Sequence, residues 1–288
     1  MKISYRFFQN FDKKDVLKLK ELGITVKEGC DAYVAYEGTH AFETLKAFFG
    51  ENWRECVSIV DTNFTEKERT ESFHLNISAT KILGYPQPEE RNEGKEEQEP
   101  ESPFNIYPYY ENVFEVAATS PNYGILKGNQ IGSFSFLKEP KWGKASIGSV
   151  FWSLNDFFVT PETYYTIFEP LNIECRSVLK YKTKKPLETV LQIIPQGISQ
   201  SKLNIPSELI KEMSEIPEWK MRKCLFEMKG FYPSFETSPG DYDFFVSQEY
   251  FGTGGVTERE VFISQRLYQR LRTRNIKGLK YYPQINND

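Results

Sequence analysis

The chain has 288 residues, with 36 Lys and Arg against 40 Asp and Glu and aromatic residues at 15%. That length fits two domains, or one large one, with room for a sizeable core, and the 23 Phe and 17 Tyr exclude a wholly disordered chain. The net charge of −4 is concentrated: between Gln87 and Ser102 seven Glu stand against Arg91 and Lys95, a local −5 that leaves +1 on everything else, so a concentrated basic surface for nucleic acid is not a property of the whole chain.

In chain order, Ile3–Phe8 alternates as a strand does and opens with no hydrophobic signal core. Lys13–Leu22 places Val16, Leu17, Leu19 and Leu22 at helical spacing, with Gly23 as a stop. Ala32–Tyr36 predicts a strand. Thr39 then caps a helix over His40–Phe49, with Phe42, Leu45, Phe48 and Phe49 apolar and Gly50 closing it. Cys56–Val60 and the alternating Phe73, Leu75 and Ile77 predict two more strands. Residues 1–85 are therefore expected to form a small α/β domain, in which His40 occupies a solvated first helical turn.

Residues 86–103 carry the Glu run between Pro86, Pro88, Pro100 and Pro103, the composition of an acidic linker or long loop. Glu96 and Glu97 lie at its centre and are candidate contacts for a basic partner. Residues 104–288 contain an internal echo. Asp156-Phe-Phe-Val-Thr-Pro-Glu…Leu-Asn172-Ile and Glu260-Val-Phe-Ile-Ser-Gln…Arg-Asn275-Ile each run from an apolar strand through a hydroxyl residue and a helix to Asn-Ile and another strand. Thr160 and Ser264 are the expected N-caps, Pro161 suits the first helical position, and Asn172 and Asn275 suit left-handed termini. Tyr164, Ile167, Phe168 and Leu171 share one helical face, as do Leu267, Tyr268 and Leu271. The whole chain is thus expected to be α+β, the larger domain carrying two strand–cap–helix–strand units.

Chemistry-bearing patterns are sparse. Cys30, Cys56, Cys175 and Cys224 are at least 26 positions apart and His40 and His74 are 34 apart, so no close pair of zinc ligands exists. Buried free thiols of a reducing compartment are the expectation, and no cofactor is implied. Arg266, Arg270 and Arg274 follow at i, i+4 and form a basic stripe, either a solvated face or a docking strip. Phe251-Gly-Thr-Gly-Gly255 fits no phosphate-binding pattern and reads as a tight turn, which puts Tyr250 and Phe251 at a recognition-loop position. No Gly-x-Ser-x-Gly elbow accompanies either His, so no catalytic residue is nominated.

Two stretches carry a resemblance. Ser120-Pro-Asn-Tyr123-Gly has the shape of a Cys-Pro-x-Cys-Gly knuckle with both cysteines replaced, and Cys224-Leu-Phe-Glu227-Met has the shape of a second knuckle keeping its first cysteine. Between them, Lys138-Glu-Pro-Lys-Trp-Gly, Asp156-Phe-Phe-Val-Thr-Pro-Glu and Phe168-Glu-Pro-Leu-Asn-Ile-Glu-Cys175 follow in order. Over residues 104–288 this ordering resembles the bacterial double-CXXCG motif proteins, some of which act as immunity proteins. The resemblance implies a cytoplasmic protein that neutralises a cognate protein toxin by stoichiometric occlusion. It also implies a degenerate metal site at Ser120, Tyr123, Cys224 and Glu227, whose single thiolate is a poor zinc set, so no metal is expected. No membrane partner is expected, and no nucleic acid. The alternatives that remain are an enzyme with a cleft between domains and a nucleic-acid-binding accessory protein using the arginine stripe.

Overall fold

The structure, a computed structural model, describes residues 1–87, 112–120, 124–205, 230–251 and 256–284. It divides into two compact units, the first formed by residues 1–71 with 230–232 and the second by the remainder from Ser72 onward. The fold class is α+β, as the sequence predicts. Among the described residues no helix is long and apolar enough to cross a membrane.

The first unit is a three-stranded antiparallel sheet with β1 (Lys2–Phe11) between β2 (Gly29–Tyr36) and β3 (Val57–Asn63). Alternation along β1 sends Ile3, Tyr5 and Phe7 to one face. There they meet Leu19 of α1 (Lys13–Glu21) and Phe42 and Leu45 of α2 (His40–Phe49). Asp12 and Asp15 close a capping box on α1, and Thr39 accepts from the Phe42 N–H at 3.3 Å, as expected. A short helix α3 (Glu66–Glu71) ends the unit.

The fourth expected strand, β4 (His74–Ala79), leaves this unit and pairs with strands near the C-terminus. The division therefore falls after residue 71 and not at 85. Its cause is packing: Leu75 and Ile77 are buried in the core of the second unit.

The second unit contains a two-stranded arm, β5 (Phe114–Ser120) and β6 (Gly124–Gln130), then β7 (Ser135–Phe136), and after these the two predicted repeats. In the first, a hairpin of β8 (Ile147–Val150) and β9 (Ser153–Val159) runs into a composite helix α4. This helix comprises an α-turn Pro161–Thr163, a π-turn Tyr164–Phe168 and a 3₁₀ turn Glu169–Leu171, and β10 (Cys175–Lys180) and β11 (Pro186–Ile193) follow it. In the second, a hairpin of β12 (Phe244–Phe251) and β13 (Val256–Ser264) runs into α5 (Gln265–Thr273) and β14 (Leu279–Pro283). Each repeat is a split β–α–β unit. The two strands joined by the helix run parallel, and an antiparallel strand lies between them: β11 between β9 and β10, β4 between β13 and β14.

The equivalence is residue by residue. Thr160 accepts from the Thr163 N–H and Ser264 from the Leu267 N–H. Asn172 and Asn275 both take left-handed φ, and the N–H groups of Ile173 and Ile276 return to the Phe168 and Leu271 carbonyls, the long bond of a Schellman motif. From cap to terminator the first helix has one residue more than the second. The π-turn, which widens one turn, accommodates it. Two residues before each cap, Phe158 and Phe262 lie opposite Gln192 and Asn76 of the interposed strands. Each of these phenylalanines meets another ring edge-on at 5.0 Å, Phe134 and Phe235 respectively.

Both helices share one core with Phe157, Val159, Val261 and Ile263. The repeats also touch through backbone: Gly278, at φ 119, lies where a Cβ would stand 1.9 Å from the Ile147 carbonyl oxygen. Two caps of equal geometry differ in what else they hold, because the Ser264 hydroxyl also donates to buried Asp243. Thr160→Ala should cost about 1 kcal/mol and Ser264→Ala about 2 kcal/mol, as measured by urea denaturation of the full chain.

Candidate functional site

Strand β13 is forked. β12 lies along one edge; on the other, β4 takes only Phe262–Ser264 and β6 only Val256 and Thr257. The backbone between them would be left without partners in the interior, at a cost of about 1–3 kcal/mol per group. Two asparagines fill the gap. Asn76 donates to the Val261 carbonyl at 3.1 Å, and Asn155 donates to the Arg259 carbonyl at 2.9 Å.

Into this fork β6 delivers Lys127. Its ammonium donates to Glu258 Oε2 at 3.0 Å, to Ser153 Oγ at 3.3 Å and to Asp156 Oδ2, with the Phe114 ring centroid 4.3 Å away. Ser153 also donates to Asp156. The other oxygen of Asp156 accepts from Gln192 at 3.3 Å, and Gln192 and Gln130 exchange reciprocal amide bonds of 2.8 Å. Glu258 Oε1 accepts from the Asn155 N–H at 3.3 Å. Glu260, two residues along the same face of β13, accepts from Asn76 at 3.0 Å.

Charge and burial compete throughout this set. Burial alone would favour a neutral amine at Lys127, but Asp156 and Glu258 outweigh it and hold the ammonium above the ordinary lysine range. Burial pushes the Glu258 carboxyl up against the attraction of Lys127. Glu260 has Glu258 for a neighbour, and burial pushes it up to about 7. An ammonium held charged between two carboxylates is a poor nucleophile, and every oxygen of Asp156 and Glu258 is engaged. Among the described residues no group of three His, Cys, Asp or Glu is placed to hold a metal ion. The arrangement is a structural tie between β6, β9 and β13.

The residues singled out in the sequence are dispersed. Arg266 does not belong to a free stripe: its guanidinium grips buried Asp243 through Nε at 2.9 Å and through Nη2, locking α5 to the start of β12. Arg270 and Arg274 are exposed. Tyr250 lies beneath the Arg259 guanidinium, 4.1 Å from its ring centroid. Phe251 is 2% exposed and packs inward, because its position in β12 alternates with that of Tyr250. Of the free cysteines, Cys30 is exposed and Cys56 and Cys175 are half-buried, so none of these three is the buried thiol expected. Ser120 ends β5. Glu96, Glu97, Tyr123, Cys224 and Glu227 lie outside the described residues.

One surface feature escapes the sequence. β8 and β9 are joined by Phe151 and Trp152 alone, with Val150 opposite Ser153. Trp152 takes φ 71, a conformation that glycine adopts freely and a bulky residue adopts under strain. Tyr85 stacks on Phe151 at 4.5 Å and tilts against Trp152 at 5.9 Å. The three rings are 42%, 42% and 49% exposed, and Leu154 beside them is 54% exposed. Backbone bonds from Phe151 to Gly84 and from Leu83 to Ser149 hold Tyr85 against the tip. The turn carries no Gly, Asn, Asp or Pro, so no turn signal marks it.

No protein-family model, no curated protein and no solved structure matches the chain.

The Lys127 tie predicts a measurable cost. Lys127→Met keeps most of the side-chain volume but strands two largely enclosed carboxylates, and urea denaturation should show a loss of about 3–5 kcal/mol. A loss below about 1 kcal/mol would mean that water already screens the set.

Proposed function

We propose that the chain is a protein-binding protein of the immunity type, acting in the bacterial cytoplasm by occupying the surface of a cognate toxin in a one-to-one complex. The observation that carries this reading is the aromatic tip at Tyr85, Phe151 and Trp152. Exposed aromatic clusters supply the dominant anchors of protein interfaces, and strained backbone persists where a side chain has to be presented in a particular direction. The polar set around Lys127 supports the same reading, because its ammonium is held charged and every oxygen of Asp156 and Glu258 is engaged. The ordered stretches around Asp156 and Phe168 supply the resemblance to immunity proteins. Exposed Arg270 and Arg274 are secondary electrostatic contacts.

A toxin gene is expected beside the gene for this chain, and the test uses the product of that neighbour. Co-expression should rescue growth, and the purified proteins should form a one-to-one complex. Trp152→Gly combined with Phe151→Ser relieves the strained φ while removing two anchors, so the variant should fold with unchanged thermal stability. It should bind at least about 100-fold more weakly, a loss near 2.7 kcal/mol. Rescue without a physical complex, or undiminished affinity in the variant, would overturn the proposal.

A further inference from the structure

The two repeats place a carboxylate at the same position, four residues before the cap: Asp156 before Thr160 and Glu260 before Ser264. Each carboxylate accepts from an amide on its interposed strand, Gln192 on β11 for Asp156 and Asn76 on β4 for Glu260. Beyond that the two differ. Asp156 has a cation, Lys127, supplied by the β5–β6 arm. Glu260 has no cation within ion-pair distance among the described residues; the charged neighbour on its own face of the strand, Glu258, is of like sign, and adjacent Arg259 alternates to the other face, where its guanidinium bonds to the Ser247 and Gln248 carbonyls over the Tyr250 ring.

We propose that a proton does for Glu260 what Lys127 does for Asp156, so that the junction of the two repeats is a proton-binding site in the native chain. The charge count favours it: one ammonium already serves two carboxylates, Asp156 and Glu258, and a third ionised carboxylate would add a further uncompensated charge to a largely enclosed site. The groups around Glu260 offer no substitute. β13 contributes Glu258, which accepts from Lys127 of β6, and Asp156 of β9 accepts from the same ammonium. β4 contributes Asn76 and His74, whose imidazole sits between Phe235 and Phe245 and is held neutral by burial, its pKa pushed down to about 4. β14 contributes Tyr282, whose phenol burial keeps neutral, and Lys280, whose ammonium lies over the Tyr282 ring. β12 contributes Ser247, which accepts from the Glu260 N–H.

The sign follows from linkage. A carboxyl that holds its proton up to about 7 when folded, against 4.5 when free, gives its full stabilisation below pH 4.5 and loses it as pH rises toward 7. His74 acts oppositely: its contribution is lost as pH falls from 6.5 toward 4. The two must therefore be separated by difference. Glu260→Gln keeps an acceptor for Asn76 and needs no proton, while His74 is common to both chains.

The test measures unfolding constants of the full-length chain and of Glu260→Gln at pH 5, 6, 7 and 8. The ratio of wild-type to variant constants should rise about five- to sevenfold per pH unit between 5 and 7 and level off above 7. A ratio constant across this range would overturn the proposal. A second measurement stands even if the variant fails to fold. Carbon-13 carboxyl NMR of the glutamate-labelled wild-type chain should show one side-chain resonance titrating near 7, well above the ordinary glutamate range. Its absence, or its persistence in folded Glu260→Gln, would overturn the assignment. Neither measurement involves a toxin, so this inference and the proposed function fail independently.

Discussion

The ammonium of Lys127 lies in a fork that the sheet itself cannot close. β13 is the spine of the second repeat, yet its inner edge is paired only at its two ends, by β4 and by β6. In the gap between them β9 of the first repeat comes close enough for Asn155 to bond to β13 and for Asp156 to accept from Lys127. Lys127 bonds to both repeats at once, so the positions of the arm, β9 and β13 all depend on one charge. A largely enclosed ammonium of this kind adds little net stability over an apolar replacement of the whole set. Its effect is on specificity, because any slip of β6 against β13 would leave three charges in the interior without partners.

Around that centre the two repeats are the same construction with two changes. The strand lying between the helix-linked pair follows the first repeat in the chain as β11 but precedes the second as β4. The charge at the equivalent carboxylate is met differently, by a lysine from an arm absent from the second repeat. The π-turn in α4 shows how little a one-residue difference disturbs the plan, since both helices still end on a left-handed asparagine and return to the core through an isoleucine.

Much of this was legible because it rests on local chemistry. The caps Thr160 and Ser264, the terminators Asn172 and Asn275 and the apolar helix faces each follow from backbone groups that need a partner or a φ that few residues tolerate. The echo between Asp156 and Glu260 was visible for the same reason. Pairing across long separations was not. Nothing in His74–Ala79 marks it as a partner of strands nearly two hundred residues later, and alternation alone assigned it to the nearer domain. Arg266 looked like one of three surface cations because Asp243, which holds it, lies 23 residues away. Phe251 looked like a loop anchor because a glycine-rich stretch follows it, whereas its place in the pleat turns it inward. The aromatic tip at Phe151 and Trp152 gave no signal, since its turn is made by residues that turns normally avoid.

The fork depends most directly on whether Lys127 and Glu258 act as one unit. A double-mutant cycle with Lys127→Met, Glu258→Gln and the combined variant, followed by urea denaturation, measures this. The combined variant should be more stable than the sum of the single losses predicts, by at least about 1 kcal/mol, because Lys127→Met leaves the Glu258 carboxylate without its cation and Glu258→Gln removes that carboxylate. Losses that add to within about 0.5 kcal/mol would contradict it and leave the fork held by its asparagines alone.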